Sequence, residues 1–139
     1  LHTEYLEILK NKRILLAEDN DLNAEITETL LEEQQLKVER VGDGKECLRT
    51  LQEMPEEYYD MILMDIQMPV MNGYEAAKAI RQLPGKRGSI PVVALTANAF
   101  EEDRKKALDA GMNGYITKPL NMERLLLTMG EILSDCIFS

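Results

Sequence analysis

Five side chains suited to handling phosphate and a hard cation stand at the ends of short apolar runs in this 139-residue sequence. The run R-I-L-L-A (13–17) is followed by Glu18-Asp19-Asn20, and M-I-L-M (61–64) by Asp65. I-P-V-V-A-L (90–95) leads into Thr96-Ala97, and G-Y-I (114–116) into Thr117-Lys118-Pro119. If these run ends meet, three carboxylates, one hydroxyl and one ammonium share a site. Two like charges 4 Å apart repel by about 4 kcal/mol at an effective dielectric of 20. Clustered carboxylates therefore need a shared proton or a bound cation. An all-oxygen donor set with a few carboxylates suits Mg²⁺, which keeps several waters and favours phosphate-bearing partners. With a lysine and a hydroxyl nearby, this is equipment for phosphoryl transfer. The cations neutralise charge on the transferring group while one carboxylate serves as nucleophile. Each residue alone is weak testimony. Asp65 could cap a helix, and any of Asp19, Asn20 or Asp21 could do so for the segment that follows. Thr96 could be an ordinary β-branched strand residue, and Lys118 a solvated surface cation.

The elements that would gather these residues can be read from the hydrophobic pattern. Short apolar runs alternate with longer amphipathic stretches along the whole chain. Leu22, Ile26, Leu30 and Leu31 recur at helical spacing after the first run, as do Leu125, Leu126, Met129, Ile132 and Leu133 after the last. Strands and helices in alternation imply right-handed crossovers and a parallel sheet covered on both faces, an α/β fold. Met61–Met64 and Val92–Leu95 are apolar throughout, as strands buried on both faces require, whereas Lys37–Val41 carries Glu39 and Arg40 and is expected at an edge. In such a sheet, ligands bind outside the carboxyl ends of the strands, where the five polar residues fall. Gly85-Lys86-Arg87-Gly88 is expected to be a solvated loop. Residues 1–12 form an extension or linker, either a short amphipathic helix or a frayed end, and 136–139 a C-terminal tail around a 13–135 domain.

Composition limits the alternatives. Sixteen Lys plus Arg against twenty-five Asp plus Glu give a net charge of −9, a poor match for nucleic-acid phosphates. No apolar run approaches the roughly 20 residues of a membrane helix, so no membrane contact is expected from this domain itself. Two cysteines, Cys47 and Cys136, are too few for a disulfide framework and lack zinc spacing, which favours a reducing, cytoplasmic location. Cys47 is expected in the core.

The motifs L-L-A-E-D-N (15–20), M-D-I-Q-M-P-V-M-N-G (64–73), L-T-A-N-A (95–99) and Y-I-T-K-P (115–119) together resemble the receiver domain of two-component response regulators. The resemblance covers about residues 13–135, and its texture is closest to receivers attached to hybrid sensor histidine kinases. It implies a doubly wound, flavodoxin-like (βα)5 sheet with strand order 2-1-3-4-5. It also implies that Asp65 accepts a phosphoryl group and that Asp19, Glu18, Asp65 and the Gln67 carbonyl hold Mg²⁺. Glu18 stands where many receivers have Asp. By the same resemblance Lys118 pairs with Asp65, Pro119 follows a cis bond, and Thr96 binds the phosphoryl group. Tyr115 would be a switch aromatic, while Gln67, Ala97 and Asn98 would tune the phosphoryl lifetime.

The only histidine is His2, so the phosphoryl group should come from a histidine kinase or a histidine phosphotransfer domain. The acidic first helix of the domain, with Leu22 and Ile26, is a candidate docking face. Residues 99–135 would form the output face, through which two copies could also pair. The missing start methionine and the N-terminal extension suggest a piece of a hybrid kinase whose parent could be membrane-anchored. Such a domain is a switch that promotes its own phosphorylation and hydrolysis. Two other readings stay open: a receiver-like interaction module that is not phosphorylated, and a Mg²⁺-dependent phosphatase with an aspartyl nucleophile. Gln67, where that phosphatase class needs a second acid, argues against the latter.

Overall fold

The structure is a computed structural model and describes residues 3–98 and 100–138. His2 and Ala99 lie outside the described residues, as does the Cys136 side chain. The strands are β1 (Arg13–Ala17), β2 (Lys37–Val41), β3 (Met61–Asp65), β4 (Val92–Thr96) and β5 (Gly114–Thr117). The helices are α1 (Thr3–Leu9), α2 (Asp21–Glu33), α3 (Gly44–Glu53), α4 (Gly73–Arg81), α5 (Glu101–Asp109) and α6 (Met122–Phe138). All strand pairs are parallel, in the order β2-β1-β3-β4-β5. The flavodoxin-like architecture expected from the resemblance is the one observed.

Alternation along β1 divides the core in two. Leu15 and Ala17 face a layer with Cys47, Leu51, Ala76, Ala77, Ile80 and Ala107, from α3, α4 and α5. Ile14 and Leu16 face Leu9, Leu31, Leu125 and Met129, from α1, α2 and α6. Because helices cover both faces, β3 and β4 are buried at every position, which explains their unbroken apolar character. β2 lies at the edge, with Glu39 and Arg40 only partly buried.

Three features of the helices and turns bear on the sequence reading. In α2 the candidate docking residues Leu22 and Ile26 point away from the sheet. The buried positions are Ala24, Thr27 and Leu31, while Leu22 and Ile26 are 65% and 49% exposed. Second, the Gly85–Ser89 segment, expected to be a solvated loop, is a 3-10 turn with no buried residue. The Arg87 guanidinium donates to the Leu51 and Met54 carbonyls, at 3.1 and 2.5 Å, and closes the end of α3. Third, α6 continues past residue 135 to Phe138, since no glycine or proline interrupts S-D-C-I-F.

The N-terminal segment is helical and packed. Leu9 is buried, and Asn11, at a φ of 66°, turns the chain back so that its N–H donates to the Gln35 carbonyl at 2.8 Å. Tyr5 lies against α6 at Gly130, where a Cβ would come within 2.7 Å of the Tyr5 Cβ. A glycine inside a helix costs about 1 kcal/mol relative to alanine; here it lets two helices approach. Among the described residues, no helix is long and apolar enough to cross a membrane.

Candidate active site

Parallel register brings the ends of β1, β3, β4 and β5 to one edge of the sheet. Ala17 pairs with Met64, Asp65 with Leu95, and Thr96 with Thr117. Glu18, one residue beyond β1, donates its N–H to the Val41 carbonyl at 3.0 Å. Asn20 then caps α2, its Oδ1 accepting from the Asn23 N–H at 2.9 Å. The cap is thus Asn20, and Asp19 stays free of that duty.

After Asp65 the chain doubles back tightly. The Gln67 N–H donates to Asp65 Oδ1 at 3.3 Å, and the Gly73 N–H donates to the Ile66 carbonyl at 2.9 Å. A Cβ at Gly73 would fall 2.6 Å from the Asp65 carbonyl oxygen, so only glycine permits this closure. A capping box between Asn72 and Glu75 starts α4 at that point. Val70 in this loop has a φ of 68°, a strained conformation for a β-branched residue, and it is 76% exposed. Met68 is buried and Met71 partly buried, which makes both packing residues of the loop.

The acids meet. One carboxylate oxygen from each of Glu18, Asp19 and Asp65 lies within 4.8 Å of the others. Glu18 and Asp65 are only 2% and 5% exposed, whereas Asp19 is open to solvent. Lys118 Nζ sits 3.1 Å from Glu18 Oε1 and 3.3 Å from Asp65 Oδ2, bridging the buried pair. The Lys118–Pro119 peptide bond is cis, and the Lys118 N–H donates to the Thr96 carbonyl at 2.7 Å, tying β5 to β4 beside the site.

Burial, and then the neighbouring Glu18 carboxylate, push the Asp65 carboxyl up to about 7 despite Lys118. Burial also acts on Glu18, but hydrogen bonds with Asp65 and Lys118 outweigh it and hold Glu18 below its ordinary value. Of the two, Glu18 is the more readily ionised. Burial disfavours the charged Lys118, yet the two carboxylates win and raise its proton affinity. The donor set fits Mg²⁺: three carboxylates converge, and their charge is only partly met by one ammonium.

Thr96 is buried at the end of β4, its Oγ1 accepting from the Asn98 N–H at 3.2 Å. Gln67, Ala97 and Asn98 are exposed around the opening. Tyr115 is half-buried on β5, and its hydroxyl donates to the Asn98 carbonyl. It therefore contacts the loop after Thr96 rather than joining the acids. Sequence reasoning overlooked Arg40. From the edge strand its Nε donates to the Glu18 carbonyl and its Nη1 to Asp21 Oδ1, both at 2.8 Å. Only the register between β1 and β2 could have signalled this, since no linear motif links positions 18 and 40.

Known proteins share this fold. The sequence pattern described as the response regulator receiver domain matches residues 14–129. A hybrid signal transduction histidine kinase I of Dictyostelium discoideum is 40% identical over 117 residues, covering 82% of this chain and 7% of that protein. The sensor histidine kinase GacS of Pseudomonas protegens is 38% identical over 115 residues, covering 81% of this chain and 12% of its own. The chain thus spans only a small part of these curated relatives. Among solved structures, the receiver domain of sensor histidine kinase PA1611 from Pseudomonas aeruginosa PAO1 has a TM-score of 0.77 at 38% identity. That comparison covers 93% of this chain and 99% of the other, which holds a magnesium ion in its active-site cleft. The receiver domain of Saccharomyces cerevisiae Ssk1, crystallised with the histidine phosphotransfer protein Ypd1, gives a TM-score of 0.75 at 32% identity, over 84% and 85% of the two chains. With a match across residues 14–129 and the same fold, the chain belongs to the response regulator receiver domain family.

Proposed function

We propose that this domain accepts a phosphoryl group from phosphohistidine onto Asp65, in a Mg²⁺-dependent step, and changes conformation in response. The observation that carries the reading is the convergence of Glu18, Asp19 and Asp65 with Lys118 bridging two of them. In the transfer, an Asp65 carboxylate oxygen bonds to phosphorus while the P–N bond to histidine breaks, leaving its electron pair on the ring nitrogen. Glu18, Asp19, Asp65 and the Gln67 carbonyl would hold Mg²⁺, which supplies positive charge to the phosphoryl oxygens. Lys118, already beside Asp65, neutralises a further oxygen. The Thr96 hydroxyl binds the phosphoryl group, and its movement is passed to Tyr115 through the Asn98 backbone that both residues contact.

Gln67, Ala97 and Asn98 border the opening and govern access of water. An unchanged phosphoryl half-life after Gln67→Ala would remove that role for Gln67. The donor is a histidine kinase or a histidine phosphotransfer domain, docking on the outer face of α2 beside a groove of about 520 Å³ lined by Ile26, Leu30, Pro119 and Leu120. The output face lies on α5, β5 and α6, where Phe100 and Leu108 are exposed and two copies could pair. Light scattering that shows only monomers, phosphorylated or not, would exclude pairing. A reducing cytoplasmic setting accords with the free, buried Cys47, whose thiol burial pushes up to about 12. The parent protein is a hybrid histidine kinase.

The test is direct. The protein is incubated with Mg²⁺ and acetyl phosphate and weighed intact, beside Asp65→Asn. One added phosphate on the parent and none on the variant is expected. No addition, or equal addition to both, would sink the proposal, and steady hydrolysis of unrelated monoesters would favour a phosphatase instead.

A further inference from the structure

We propose that Arg40 is a positioning residue of the acidic site, gripping the Glu18–Asp21 corner from the edge strand and thereby setting Mg²⁺ affinity. The inference rests on the Mg²⁺-dependent reading above and adds a residue that none of the site motifs contains.

The geometry is a two-sided hold. The Val41 carbonyl accepts from the Glu18 N–H at 3.0 Å, and Arg40 Nε donates to the Glu18 carbonyl at 2.8 Å. Consecutive residues of β2 thus fix both peptide units flanking Glu18. The Glu18 carbonyl and the Asp19 N–H belong to one planar peptide group, so a donor fixing the carbonyl also fixes the plane from which Asp19 projects. Asp19 has no burial to hold it in place. The other end of the guanidinium reaches Asp21 Oδ1 at 2.8 Å, in the first turn of α2. One rigid fork therefore spans the corner that carries two of the three carboxylates.

Two effects of Arg40 oppose each other. As a cation near an acidic site, it should weaken Mg²⁺ binding; as a support, it should strengthen it. Its charge is paired with Asp21, so the support should dominate. Outer-shell partners of metal ligands typically contribute about 10–100-fold in affinity; here, with one backbone carbonyl held, about 5–10-fold is expected.

The experiment measures Mg²⁺ dissociation constants by calorimetry for the parent, Arg40→Gln and Arg40→Lys, with metal-free melting temperatures alongside. Arg40→Gln should bind Mg²⁺ about 5–10-fold more weakly. Arg40→Lys keeps the charge but has no fork, and should also fall below the parent. Parent-like or tighter binding by Arg40→Gln, or parent-like binding by Arg40→Lys, overturns the proposal. If Arg40→Gln does not fold, Arg40→Lys decides alone. A parent that binds no Mg²⁺ at millimolar concentration would instead overturn the underlying metal reading, so the two failures are distinguishable.

Discussion

Asp65 ends a strand buried on both faces and sits against a second buried carboxylate, and that placement sets its proton affinity before any partner arrives. Its carboxyl is raised to about 7 by burial and by Glu18, against roughly 3.9 in an unfolded chain. The folded, metal-free protein therefore keeps a proton that the unfolded chain has released. Stability from this group is full below about pH 4 and is lost as pH rises through about 7. Asparagine cannot ionise, so Asp65→Asn should melt higher than the metal-free parent above pH 7, by roughly 3–8 °C for a change of about 1–2 kcal/mol. The gap should shrink as pH falls to 5; melting curves that show a pH-independent gap would contradict this electrostatic picture. Asp65, Glu18 and Lys118 were legible in the sequence because each stands at or just beyond the end of an apolar run, and register then brings the run ends together. Arg40 was not legible, because its contacts cross between strands and its neighbours mark it only as an edge residue.

The elements show what periodicity leaves open. In α2 the helical spacing of Leu22, Ile26, Leu30 and Leu31 marks the helix, but of these only Leu31 is fully buried, beside Ala24 and Thr27. Apolar spacing locates a helix well but cannot distinguish a face against the sheet from one left for a partner. The exposed pair should therefore matter little for stability. Leu22→Ser and Ile26→Ser should each change unfolding free energy in urea by about 0.5 kcal/mol or less, whereas Leu31→Ala should cost about 2–5 kcal/mol. The same two surface changes should slow phosphoryl transfer from a phosphotransfer protein while leaving labelling by acetyl phosphate unaltered. Equal slowing of both reactions would move α2 from docking face to catalytic support.

At the scale of the molecule, the alternation of strands and helices was enough to give the layers and the site edge, because helices on both faces demand apolar central strands. The packing of α1 could not be read the same way. It depends on Tyr5 meeting Gly130, residues 125 positions apart in the sequence and unremarkable on their own. The net charge of −9 also gains a local meaning, since three acids meet at one edge and are balanced in part by a single lysine. The measurement that bears most directly on the function is transfer from a phosphohistidine-bearing phosphotransfer protein in the presence of Mg²⁺. Borohydride reduction and peptide mass analysis then locate the acyl phosphate. Conversion of Asp65 to homoserine, dependent on Mg²⁺ and absent without the donor, is the expected result. Phosphate that stays on the donor histidine, or reduction at a position other than 65, would contradict the proposed role.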